Sequence, residues 1–97
     1  MDKKEAWSRR EAAARNYSEA RKACEAASWA RIRFATRLLD AIVAESRSIS
    51  EEEKNEWITI RETERTAIAK RDAAKREDRE AAEALLATFD SNEIIHL

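Results

Sequence analysis

A chain of 97 residues that holds no glycine and no proline has few ways to turn. Glycine supplies left-handed backbone at no steric cost, proline presets the first bend of a turn, and average usage is about 7 % and 5 %. Their absence leaves little means of building tight hairpins or sheet corners, so the sequence predicts an all-α protein with very few reversals. The length allows one domain and one core. Of the 43 % of residues that are hydrophobic, many are alanine, which favours helix and contributes little burial. The core must therefore be thin, or shared between chains.

One stretch does look like a reversal. In ESRSISEEEKNEW, residues 45–57, Ser48 and Ser50 are each followed three residues later by a glutamate, Glu51 or Glu53, giving two overlapping capping boxes. Glu51, Glu52 and Glu53 then fall in a first helical turn, where the helix dipole favours negative charge. The pattern predicts a helix over about residues 5–46, a turn at about 47–50, a helix over about 51–89 and a tail at 90–97, all in a single helical domain. Ser8 with Glu11 is the candidate cap of the first helix, with Trp7 just outside it. Asp90 with Glu93 could open a last short turn. A connection this short implies antiparallel packing.

Both helices carry seams with apolar spacings of three and four. The first runs Ala6, Arg10, Ala13, Tyr17, Ala20, Cys24, Ala27, Arg31, Phe34, Leu38, Ala41; the second runs Trp57, Ile60, Glu64, Ala67, Arg71, Ala74, Asp78, Ala81, Leu85. Tyr17, Cys24, Phe34, Leu38, Trp57, Ile60 and Leu85 are the expected hairpin core. Folding at residue 49 would set Leu38 near Ile60 and place Phe34 and Arg31 near Glu64 and Ala67. Cys24 would fall near Ala74, and Tyr17 near Ala81 and Leu85. An Arg31 to Glu64 pair would fix the register, while the stems of Arg71 and Asp78 are expected to reach outward to water. Charge favours the same pairing. Residues 1–49 hold eleven Lys or Arg against seven Asp or Glu, and residues 50–97 hold eight against thirteen.

A second stripe, Trp29, Ile32, Thr36, Leu39, Val43, runs beside the first seam, and Trp7 falls on the same helical face. Together with Phe34, Leu38 and Ala41 it spans roughly 240° of arc, more than the ~100° that one flanking helix covers. Only Arg33, Arg37 and Asp40 mark a polar side there. A contiguous apolar patch of this kind signals a binding surface. The leading expectation is pairing of two hairpins into a four-helix bundle. The alternatives are a site for a different protein, or partial cover supplied by the C-terminal FDSNEIIHL or by a bent helix folding back.

Chemistry has little to work with. His96 is the one histidine, Cys24 sits on an apolar seam, and without glycine no phosphate-cradling loop can form. Glu93 and His96 show the Glu-x-x-His spacing of di-metal helical bundles, but as a lone tetrapeptide. No catalytic residue, cofactor or metal site is predicted. No apolar run approaches the ~20 residues of a membrane span, MDKKEAWSRR lacks the apolar stretch of a secretory signal, and one cysteine suits a reducing compartment. The expectation is a cytoplasmic protein that does not engage membranes.

Function is thus expected to lie in protein–protein interaction, as a small helical adaptor or assembly protein acting as a homodimer. The runner-up is an inhibitor that docks on a larger protein, such as a nucleic-acid-processing enzyme, through the apolar stripe or the acidic second helix. A third reading places phosphates of a nucleic acid on Arg31, Arg33 and Arg37. Interleaved carboxylates and a pI near 5.9 disfavour it.

Overall fold

The structure, a computed structural model, describes residues 1–89. It is an all-α helical hairpin of two long helices, α1 (Lys3–Glu45) and α2 (Glu51–Leu86). Among the described residues there is no strand. The turn expected at Asp90 and Glu93, the Glu93 and His96 pair and the C-terminal cover lie outside the described residues.

α1 starts earlier than the Ser8 cap implies. The Glu5 amide donates to Asp2 Oδ1 at 2.8 Å, so Asp2 is the N-cap, and Glu5 lies in the first turn. A carboxylate accepts a charge-assisted bond that the Ser8 hydroxyl cannot match, which moves the start toward the N-terminus. Trp7 is consequently helical, and its indole N–H donates to Glu11 Oε1 at 2.8 Å.

The end of α1 solves the missing-glycine problem with a serine. Ser46 adopts φ 51°, the Arg47 amide donates to the Ile42 carbonyl at 3.2 Å, and the Ser46 amide donates to the Val43 carbonyl at 3.4 Å. This is the Schellman pattern, in which a left-handed residue lets two orphan carbonyls be satisfied. Any residue with a Cβ is disfavoured there by ~1–2 kcal/mol.

Arg47 then bridges the two helices. Its guanidinium forks onto Glu53, with Nη1 to Oε1 at 2.7 Å and Nη2 to Oε2 at 3.0 Å; Nε donates to Glu45, and Nη1 also donates to the Ser48 carbonyl. Of the two predicted capping boxes, Ser50 forms the reciprocal one: the Glu53 amide donates to Ser50 Oγ at 3.1 Å, and the Ser50 amide to Glu53 Oε1 at 3.0 Å. The Arg47 fork, joined by the Ser50 amide, depresses the Glu53 carboxyl to about 2. The two carboxylates in turn raise the Arg47 guanidinium above its ordinary value.

α2 ends three residues short of the expected 89. Beyond Leu86 the Thr88 and Phe89 amides bond to Leu85 and Leu86 carbonyls in tightened three-residue steps. The Thr88 hydroxyl also donates to the Leu85 carbonyl at 2.7 Å.

The chain divides into two compact units: Lys22–Ala69, which contains the turn, and Met1–Arg21 with the segment that begins at Lys70. Both helices contribute to each. In the turn unit Phe34 stacks on Trp57, with ring centres 6.1 Å apart, and the Arg61 guanidinium lies 5.6 Å from the Trp57 ring centre. Arg31 Nε reaches Glu64 Oε2 at 2.7 Å, and Glu64 is only 7 % exposed. The Arg31 bond is the main cause that lowers the Glu64 carboxyl, against the opposing effect of burial. Phe34 thus faces Trp57, and Leu38 shares a shallow depression with Glu53 and Glu56. The reversal occupies residues 46–50, and left-handed Ser46 opens it by stopping α1.

In the other unit the helices meet through small residues, with Ala6, Ala13 and Ala81 buried and Tyr17 and Leu85 half-buried. Two ion pairs cross there, Arg9 to Glu77 and Arg10 to Asp78, each at 2.8 Å. Asp78 is thus held by Arg10 instead of reaching outward as expected, since an arginine on the facing seam offers a counter-charge closer than bulk water. Arg71 does turn to its neighbour Asp72. Lys3 sits 4.7 Å above the Phe89 ring. In both units the cation comes from α1 and the anion from α2, as the charge asymmetry of the sequence requires.

Three outcomes follow from this geometry. Ser46→Gly should stabilise the fold by about 0.5–1 kcal/mol in thermal or urea unfolding, and Ser46→Val should destabilise it; equal midpoints would contradict the left-handed assignment. Replacing Arg31 alone by Met should lower the unfolding midpoint, whereas Arg31→Met combined with Glu64→Leu should recover it, because the buried carboxylate no longer lacks a partner. Glu53 has a folded value below its ordinary 4.5, so its contribution is complete above pH ~4.5 and is lost as pH falls through about 2. Acid unfolding should therefore be steep over that window and shallower in Glu53→Gln; superimposable pH profiles would exclude the Arg47 clamp as its source.

Candidate functional site

The amphipathic pattern of α1 puts two apolar stripes on one helix. Successive residues are about 100° apart, so the Trp29, Ile32, Thr36, Leu39, Val43 stripe is centred on the side of the cylinder opposite the Phe34 stripe rather than immediately beside it. The first is spent on α2. Cys24 and Phe34 are buried, and Leu38, Trp57 and Ile60 are half-buried within the turn unit.

The second stripe is exposed among the described residues. Trp29 is 59 % exposed, Ile32 41 %, Leu39 61 % and Val43 78 %, and Thr36 between them is exposed as well. These side chains span four turns of one helix, and Ile32, Leu39 and Val43 have no polar atom with which to engage water. Trp7 is also exposed, but it belongs to the other unit, where it lines a shallow concavity with Lys3, Lys4 and Ser8.

The flanks of the stripe differ in character. Arg33 and Asp40, seven residues apart on one side, are exposed, and among the described residues neither has an ion-pair partner in the chain. The opposite flank carries Ser28, Ala35 and Ile42, all half-buried; the Ser28 hydroxyl contributes to lowering the Glu64 carboxyl. Of the three arginines considered for phosphate contact, Arg31 is committed to Glu64, and Arg33 and Arg37 face solvent. Two exposed arginines with Asp40 on the same side form no extended basic track.

Sequence reading passed over Ile58 and Leu86, each about half exposed on α2. Ile58 adjoins the seam residue Trp57 and falls off the three-four spacing, so periodicity alone hides it. It also passed over Arg47, whose signal was its position between Glu45 and Glu53 in an otherwise uncharged turn.

Among the described residues no cluster of three or more His, Cys, Asp or Glu could hold a metal ion, and no helix is long and apolar enough to cross a membrane. Comparison of the chain with protein-family models, with curated proteins and with solved structures finds no match.

Proposed function

We propose that this chain is a non-enzymatic protein–protein interaction module, an adaptor or assembly protein, that works as a homodimer through the outer face of α1. The observation that carries this reading is the exposure of Trp29, Ile32, Leu39 and Val43 on the side of α1 opposite its hairpin seam. Apolar surface left in water is unfavourable by roughly 25 cal/mol per Å², and a second helical hairpin offers a surface of the right length to cover it. The thinness of the internal core supports the same reading. Among the described residues the buried apolar ones are Ala6, Ala13, Cys24, Phe34 and Ala81, and none of the larger side chains is fully buried. Chains with so little interior commonly gain the rest of their stability by association.

Light scattering behind a sizing column, at two concentrations a hundredfold apart, tests this directly. The expected mass is twice the 11.2 kDa of one chain. Ile32→Asp combined with Leu39→Asp should return it to one chain while helicity is kept. A monomer at both concentrations, or a dimer indifferent to the two aspartates, would overturn the proposal; the first result would redirect the same stripe to a different protein.

A further inference from the structure

We infer that two copies of the chain pair antiparallel along the outer face of α1, about a twofold axis near residue 37, with Arg33 of each copy bonded to Asp40 of the other. The inference rests on the homodimer reading and deepens it by giving the orientation and register of the pair.

Arg33 and Asp40 are two of the exposed charges that the hairpin itself does not use. In the described residues Arg9, Arg10, Arg31 and Arg47 all find carboxylates. Among the described residues Arg33 and Asp40, on the rim of the exposed stripe, have no ion-pair partner. When Trp29, Thr36 and Val43 are taken as the first and Ile32 and Leu39 as the fourth positions of a heptad, Arg33 and Asp40 both occupy the fifth. In an antiparallel pair fifth positions face fifth positions, so a cation and an anion seven residues apart on one strip are self-complementary under a twofold axis. Each chain then supplies one Arg33 and one Asp40, and the contact is made twice.

The same register places the apolar side chains sensibly. Ile32 meets Val43 of the second copy, Thr36 meets Leu39, and on the other rim Ala35 meets Ile42. Sliding the copies by one heptad in either direction sets Arg33 against Arg33 or Asp40 against Asp40, and like charges at close range exclude those registers. A parallel pair would bring Arg33 beside Ser28 and Asp40 beside Ala35, leaving both charges without a counter-ion. The rim thus selects one orientation and one register, while the apolar stripe supplies the attraction.

Charge reversal tests this with controls built in. Arg33→Asp and Asp40→Arg should each weaken self-association about tenfold in sedimentation, and the double variant should restore it. An equimolar mixture of the two single variants should form a heterodimer tighter than either homodimer, because every rim contact is then again opposite in sign. Both residues are exposed and make no ion pair among the described residues, so helicity should not change. Spin labels give the geometry independently: in a Cys24→Ala background, labels at Ala26→Cys and at Ala44→Cys should lie about 35 Å and about 20 Å from their mates. Separations of about 10 Å at both positions would mean a parallel pair and would overturn the inference while leaving the homodimer intact. A wild-type chain that stays monomeric would overturn both. Single reversals without effect in a chain that still dimerises would overturn the Arg33 to Asp40 contact alone.

Discussion

The Arg47 guanidinium lies between Glu45, the last residue of α1, and Glu53, in the first turn of α2, and the reversal of the chain depends on that contact. A sequence without glycine must put a residue with a Cβ into left-handed backbone if it is to end a helix abruptly. Ser46 takes that role at an energetic disadvantage, and the arginine fork, the reciprocal Ser50 and Glu53 cap and the acidic start of α2 offset it. Backbone chemistry that most chains delegate to glycine is here carried by charge.

Within each unit the helices then meet through what the sequence provides, alanines and arginine–carboxylate pairs in one, and the Phe34 stack on Trp57 with the Arg31 to Glu64 bond in the other. Small side chains allow close approach but bury little area. The larger apolar residues that could have thickened the seam, Trp29, Ile32, Leu39 and Val43, are instead on the far side of α1. That distribution is an inefficient way to build a lone hairpin, and it is the ground on which pairing into a larger bundle is proposed.

Most of the fold was legible because helical periodicity is a long-range signal. Every residue of the two predicted seams is buried or half-buried, and the Arg31 to Glu64 pair forms as the spacing implied. What was not legible is local competition. Asp2 against Ser8 as the N-cap is decided by acceptor strength, and the exact end of α1 is decided by a single φ angle at Ser46. The Arg10 to Asp78 contact was hidden because a lone charged seam residue looks the same in sequence whether it pairs or reaches for water. For the surface, the stripe itself could be read from spacing, but its exposure follows only once the opposite seam is seen to be occupied by α2.

The buried Glu64 also bears on how the chain avoids folding wrongly. Repetitive alanine-rich helices can pair in many offsets of similar energy, and a slip of seven residues changes little for alanine against alanine. It changes a great deal for a carboxylate: moved by one heptad, Glu64 would face Cys24 or Leu38, and Arg31 would face Trp57 or Arg71, stranding both charges in an apolar seam. Such offsets remain open to a collapsed chain but lie several kcal/mol higher. A single ionised side chain thus separates the native alignment from near-identical competitors that the rest of the seam hardly distinguishes.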